Sequence, residues 1–300
     1  MTRVAQLAQQ QLTLSNVRAT QERLQEAQIQ ISTGQKSRSY AGIFKDATRL
    51  VSLEASQARI KQFVENNTII SDRLERTDGA VSNIFDALTE LRKTLIQATS
   101  DSSSGEVRLT EIANNLLSSV TGQLNTKENG RFLFAGSMTT TQPVTVPVPD
   151  PTTFGVPEAN YYNGDSVALS ARIDEATTIT YGVTGDRAGF QDAIAALKAA
   201  IQAGTTNDRG LMETALTLTN SALQTVAGYR AEIGSDLQTI DRANSNNNDL
   251  LTFLEGSITD IESVDVPETV AKMSTDQTVL QASFLTLARI TNLTLLDFLR

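Results

Sequence analysis

The sequence of 300 residues contains no cysteine, no histidine and no tryptophan. Without cysteine there is no disulfide framework, no thiolate nucleophile and no zinc–thiolate site. Without histidine the imidazole base of the commonest hydrolase triads is missing. An enzyme would need a carboxylate or lysine mechanism, and no constellation for one stands out. The sequence therefore predicts a protein that is not an enzyme, with no catalytic, cofactor-binding or metal-binding residues and no small-molecule substrate.

A clustered positive charge and a long hydrophobic run are also missing. Lysine and arginine number 25 against 34 acidic residues, so the net charge is −9, which argues against nucleic acid and anionic membranes as partners. The most apolar long segment, Leu280–Leu299, is not a membrane span. It is interrupted by Gln281, Arg289, Asn292 and Asp297. Residues 1–30 lack the apolar stretch of a secretory signal, so we expect a cytosolic chain or one exported without signal cleavage.

Two long segments have apolar residues in heptad rows, which is typical of long packed helices. Eleven of 14 row positions are apolar between residues 53 and 98, and eleven of 15 between 212 and 261. The similar lengths predict an antiparallel helix pair. The polar residues that interrupt the rows include Asn67, Arg230, Asn244 and Asn247. They indicate either local tolerance of polar groups or selection of the helix register, and the pattern leaves both interpretations open.

The passage between these helices has a different composition. Five of the six prolines lie from Pro143 to Pro157. Asn129-Gly130 predicts a hairpin turn, and Arg131–Phe134 after it reads as a strand. Two further strands are predicted within Val167–Ile173 and Thr177–Val183. We therefore expect a small β-rich insertion in an otherwise helical chain.

The first and last helices have seams that are poorly suited to packing alone. In residues 4–31 three of the eight heptad-row positions are glutamine, so the helix needs a partner. The last helix begins at Asp265, and its apolar stripe moves around the helix beyond Leu287, where nothing else in the chain follows to enclose it. We therefore predict that both helices pack on other subunits. The predicted assembly interface comprises Leu7, Leu14, Val17, Leu24, Ile31, Leu280, Phe284, Leu287, Ile290, Leu293, Leu296 and Leu299.

Four passages resemble a known family, the flagellin-like axial proteins of bacterial flagella. "QISTGQKSRSYAGIFKDATRL" is similar to the stretch after their first helix, and "MSTDQTVLQASFLTLARITNLTLLDFL" to their C-terminal polymerisation helix. "ENGRFLFAGSMTTTQPV" and "YYNGDSVALSARIDEATTITYGVTGD" resemble passages of one branch, the hook–filament junction proteins. Of the four, the Phe-Ala-Gly passage is the most specific.

The resemblance implies a mainly α fold, a long antiparallel helical rod with terminal polymerisation helices and a small inserted β-rich outer domain. The expected division assigns 1–45 and 264–300 to an inner polymerisation domain, 46–130 and 187–263 to the rod, and 131–186 to the surface. In this family the terminal helices form the inner tube of the filament. The chain would turn from helix to strand at "RFLFAGS" because it leaves the tube wall there.

The implied function is structural: joining hook to filament in the extracellular flagellum by helical packing of terminal segments, which serves motility. The implied partners are other copies of the chain, another hook-associated protein and flagellin. Family members are exported through the flagellar type III channel, generally with a chaperone on the C-terminal segment. Two alternatives remain, a flagellin that polymerises into the filament and a coiled-coil binding module whose terminal helices stay folded in the monomer.

Overall fold

The computed structural model describes residues 2–100, 105–145 and 154–298. Helices make up 74% of it, which confirms the predicted mainly α fold class. The elements, in chain order, are α1 (Thr2–Thr33), a 3₁₀ turn (Tyr40–Ile43), α2 (Ala47–Ser100), α3 (Gly105–Leu124), β1 (Lys127–Glu128), β2 (Arg131–Phe132), β3 (Leu169–Arg172), β4 (Thr178–Tyr181), α4 (Ala188–Thr206), α5 (Arg209–Glu262) and α6 (Val266–Phe298).

The long helices begin and end where local chemistry favours it. The Asp46 carbonyl accepts the first bond of α2, from the Leu50 amide at 2.8 Å. The Asp265 carboxylate caps α6 by accepting the Glu268 amide at 2.9 Å, which satisfies an amide that has no partner within the helix. Gly34 ends α1 with φ of +72°, a left-handed conformation that glycine adopts without strain.

Two short antiparallel hairpins make up the β structure. Asn129 and Gly130 have φ of 48° and 78°, the left-handed pair that a type I′ turn requires between β1 and β2. The predicted strand at Arg131–Phe134 is shorter than expected, because the chain bends into the core after Phe132. Strands β3 and β4 pair with each other inside the two predicted segments.

The chain divides into two compact units. The terminal unit comprises Met1–Ala58 and Leu251–Arg300, and the central unit comprises Arg59–Leu250. Both limits fall inside long helices, α2 and α5, rather than at the loops near residues 45 and 264 where the sequence placed its divisions. The segment 131–186 lies within the central unit. That the three predicted segments have separate roles in an assembly stays a prediction.

The central unit contains one extensive hydrophobic cluster, to which helices and inserted segment both contribute. Phe134 of the inserted segment is fully buried, and its ring meets Phe190 of α4 edge-on at 5.8 Å between centroids. Phe190 in turn contacts Tyr229 of α5 at 5.3 Å. The Phe134 carbonyl accepts the Gly185 amide at 2.8 Å, so the backbone is held as well as the ring. "RFLFAGS" is therefore an anchor of this core.

Within the central unit α2 and α5 run antiparallel, as predicted. Arg230 of α5 makes a bidentate contact with Asp78 of α2, at 3.0 and 3.2 Å. Further along, the Asn67 amide of α2 donates to Asn244 Oδ1 of α5 at 2.8 Å. The partner on α5 moves towards the C-terminus as the residue on α2 moves towards the N-terminus. Asn67, Asn244 and Arg230 therefore lie at contacts between the two helices, whereas Asn247 donates to the backbone of the inserted segment.

Candidate assembly interface

Helices α1 and α6 of the terminal unit pack against each other. On α1 the less exposed side chains recur every three or four residues, at 13, 17, 20, 24, 27 and 31. On α6 they recur at 269, 273, 276, 280, 283 and 287. This spacing is that of a heptad seam. We call these two rows the seam.

This pairing corrects one expectation from the sequence. We expected the last helix to find no cover within its own chain, yet α1 covers one side of it. The two helices meet because the loops beside them are joined: Lys36 donates its amide to the Glu262 carbonyl at 2.7 Å, and Val264 donates to Gly34 at 2.9 Å. The Lys36 ammonium also contacts the Asp260 and Ile261 carbonyls at the end of α5, where the helix dipole favours a cation.

One ion pair links the two helices across the seam. The Arg23 guanidinium donates to both carboxylate oxygens of Asp276, at 3.2 and 2.8 Å. This hydrogen bonding lowers the pKa of Asp276 below its usual value, despite partial desolvation, and raises the pKa of Arg23. The bidentate geometry fixes how the helices are aligned as well as attracting them.

Much of the terminal unit's apolar surface faces solvent. Among its described residues the buried apolar side chains are Val17, Leu50, Leu254 and Ile261. Of the eighteen large hydrophobic side chains that are exposed in the described parts of the chain, twelve belong to this unit. They are Leu12, Leu14, Ile29, Tyr40, Phe44, Val51, Phe253, Val266, Val270, Val279, Phe284 and Leu285. Scattered exposed apolar residues are ordinary, but this concentration marks a contact surface.

The predicted interface residues fall into three groups. Five belong to the intramolecular seam: Val17, Leu24, Ile31, Leu280 and Leu287. Two face outward, Leu14 at 39% exposed and Phe284 at 46%. The side chains of Leu7, Ile290, Leu293 and Leu296, and all of Leu299, lie outside the described residues.

Ten outward apolar residues were missed by the sequence analysis. Phe44 at 84% exposed lies in the loop between α1 and α2, where no heptad pattern applies. Leu285 at 66% lies next to a predicted residue but off its row. An apolar residue that breaks a heptad row is a signal for a second face, and it could have identified Leu285 and Val279.

The described residues are poorly suited to other kinds of site. No group of three or more acidic side chains there could hold a metal ion. None of the described helices has the combination of length and apolarity that a membrane crossing requires. A groove of the central unit is lined by Asp72, Glu75, Arg76 and Glu128. Among the described residues that line it, these charged side chains do not form the pair of a nucleophile and a base that covalent catalysis requires.

The two ends of the chain match known family models. Residues 4–139 match the bacterial flagellin N-terminal helical region, and residues 216–299 match the bacterial flagellin C-terminal helical region. The chain carries both terminal helical regions of the bacterial flagellins. The N-terminal flagellin region contains α1, and the C-terminal flagellin region contains α6. The outward apolar surface of the terminal unit is therefore built on the two flagellin-type ends of the chain, which contain α1 and α6.

Individual relatives of this flagellin-type chain carry more specific names. It is 24% identical to the flagellar hook-associated protein 3 of Escherichia coli over 85% of this chain and 86% of that protein. Its fold is similar to the crystal structure of FlgL from Bacillus cereus, with a TM-score of 0.56 and 18% identity over 70% and 98% of the two chains. The structure of the flagellar junction protein FlgL from Legionella pneumophila gives a TM-score of 0.53. The two sequences are 16% identical, over 70% of this chain and 98% of that chain.

Proposed function

We propose that this chain is a structural subunit of the bacterial flagellum that joins the hook to the filament. The observation that carries the proposal is the outward apolar surface of the terminal unit, built on the two flagellin-type ends. Covering that surface with neighbouring subunits would remove apolar area from water, which is the main driving force of association. The mechanism is therefore assembly by helical packing.

The junction role is favoured over that of a filament subunit by the named relatives. The Escherichia coli relative is named flagellar hook-associated protein 3, and the Legionella pneumophila FlgL structure is named a flagellar junction protein. A coiled-coil binding module is less well supported, because such a module would not be expected to match both the N-terminal and the C-terminal flagellin regions. We assign the chain no catalytic activity.

The proposed partners follow from a place in the flagellar axis. They are other copies of the chain, a second hook-associated protein on one side and flagellin on the other. We propose export to the cell exterior without a cleaved signal, with a chaperone holding the C-terminal segment before assembly. We further propose that the segment 131–186 faces outward in the assembled flagellum.

Electron microscopy of a strain that lacks the gene tests the proposal. Hooks should be present without filaments, and the wild-type gene on a plasmid should restore filaments. Normal filaments in the deletion strain would contradict the junction role. If the purified chain polymerises into long filaments without any other protein, it would instead be identified as a flagellin.

A further inference from the structure

Two asparagines of the central unit donate to one backbone carbonyl, and a third accepts a hydrogen bond from one of them. Asn67 of α2 donates its side-chain amide to the Ile173 carbonyl at 2.9 Å, and Asn247 of α5 donates to the same oxygen at 3.1 Å. The second amide hydrogen of Asn67 goes to Asn244 Oδ1 at 2.8 Å. Asn67, Asn247 and Ile173 are all buried. Ile173 directly follows β3, so the helix pair holds the tip of the β3–β4 hairpin.

The hydrogen bonds do not fit a role confined to the two helices. Asn67 Oδ1 is buried and has no hydrogen-bond partner among the described residues. A buried acceptor without a donor destabilises the folded state, and apolar side chains at these positions would serve a helix pair better. Both amide donors that reach Ile173 serve the hairpin instead. The asparagines are therefore explained by the backbone group that they bind.

The hairpin tip is preformed for this contact. The Asp174 carboxylate accepts the Ala176 and Thr177 amides at 2.7 and 2.6 Å, which closes a tight Asx turn. The Ile173 amide donates to the Thr177 carbonyl at 3.0 Å, so only its own carbonyl is directed to the helices. Because the tip is rigid, binding one carbonyl positions the whole turn.

Two contacts to α2 flank the asparagines. Glu175 of the tip pairs with Arg59 at 2.9 Å, with both side chains more than half exposed. The Arg172 guanidinium lies 5.9 Å from the Phe63 ring centroid. These contacts are weak individually. The centre of the attachment is buried and specific, while its rim is exposed.

We propose that Asn67 and Asn247 form a latch that holds the β3–β4 hairpin on α2 and α5, and that this latch opens without unfolding the helices. The helix pair keeps its own apolar packing and its Arg230–Asp78 contact when the tip is released. The buried side chains of Ile173 and Ile179 hold the hairpin together with the latch. Without this attachment the hairpin, whose strands have only four residues each, would be marginal in water. Asn67 and Asn247 thus act as a receptor for the inserted segment.

Hydrogen exchange by mass spectrometry on the intact chain tests the latch. In Asn67→Leu/Asn247→Leu the amides of 170–180 should exchange about tenfold faster, because two hydrogen bonds to the tip are lost. Peptides of α2 and α5 should keep their protection. The matched control is Asn246→Leu, since Asn246 is an exposed asparagine next to the receptor. Unchanged exchange at 170–180 would overturn the proposal.

A second variant acts from the hairpin side, in case the double variant does not fold. Asp174→Ala removes the Asx turn without touching the helices, and it should speed exchange at 170–180 while α2 and α5 retain protection. Faster exchange of the helices together with the tip, in either variant, would overturn the latch. It would show that tip and helices unfold as one unit.

Discussion

The turn residues Asn129 and Gly130 permit a test at the scale of one residue. Gly130 has φ of +78°, and a Cβ there would meet no other atom within 4 Å. Gly130→Ala should therefore lower the free energy of unfolding by about 1–2 kcal/mol through backbone strain alone. Thermal unfolding measures the change.

The control for that variant has the opposite expected sign. Gly79 lies in the interior of α2 with equally open space around its Cα and no left-handed φ. Gly79→Ala should raise stability by about 0.5–1 kcal/mol, because alanine loses less backbone entropy in a helix. Equal effects of the two substitutions would contradict the type I′ turn.

The Arg23–Asp276 pair predicts a pH dependence of the α1–α6 contact. The folded-state pKa of Asp276 lies below its usual value, so its contribution is present near neutral pH and is lost as the pH falls through the lowered pKa. Asp276→Asn should speed exchange of α1 and α6 amides a few-fold at pH 7.

The difference between Asp276→Asn and the wild type should disappear as the pH falls through the lowered pKa of Asp276, because the protonated aspartic acid is then as uncharged as asparagine. Glu22→Gln is the matched control, since Glu22 is an exposed acid on α1. An equal effect of the two variants at pH 7 would indicate a general charge effect rather than this ion pair.

At the scale of elements, Phe134 tests whether the inserted segment belongs to the central core. Its ring is fully buried against Phe190. Phe134→Ala should cost about 3–5 kcal/mol of the central unit's stability, from lost burial and a residual cavity. Chemical denaturation followed by far-UV circular dichroism measures this. Exposed Met138→Ala is the control, and a similarly small effect at both positions would place the segment outside the core.

The helices were largely predictable from the sequence, because their signals are local. Heptad rows between 53 and 98 and between 212 and 261 correspond to α2 and α5, and Asp265 marks the observed start of α6. The short range of capping and of heptad spacing explains this success. The Asn-Gly turn was predictable for the same reason.

The sides of α1 were predicted only in part. The row with Val17, Leu24 and Ile31 does lie on the seam, whereas Leu14 and its glutamine neighbours face outward. The seam row of α1 also contains the small residues Thr13, Thr20 and Ala27, which an apolar count does not favour. Small residues suit close helix packing, so apolarity alone does not identify the covered side.

Contacts between distant segments were not predictable. The latch joins Asn67 and Asn247 to a backbone carbonyl, and a carbonyl has no sequence signature. The aromatic contact of Phe134 with Phe190 likewise depends on the folded arrangement of distant residues. The polar interruptions could be noticed in the sequence, but their partner could not.

At the scale of the whole molecule, the two units differ in how much apolar surface they bury. The central unit has an extensive hydrophobic cluster, while the terminal unit buries few apolar residues among those described. Limited proteolysis of the monomer should therefore cleave the terminal unit first and leave a resistant fragment close to Arg59–Leu250. Mass spectrometry of the fragments identifies it. Equal resistance of both units in a confirmed monomer would contradict the prediction.

The assembly role of the terminal unit's outward apolar surface is tested most directly by measuring both monomer stability and incorporation into flagella. The variant Phe284→Asp/Leu285→Asp places charge on the outward face of α6, where both side chains are exposed. Thr286→Asp, at an exposed polar position on the same turn, is the control. Secreted protein is quantified in each strain, so that a failure of export is distinguished from a failure of assembly.

We expect the free energy of unfolding of the double variant to lie within about 0.5 kcal/mol of the wild-type value, because exposed positions contribute little to monomer stability. The double variant should be exported normally, while electron microscopy shows hooks without filaments. The control strain should carry filaments. Normal filaments on cells that produce and export the double variant would contradict the assembly role of this surface.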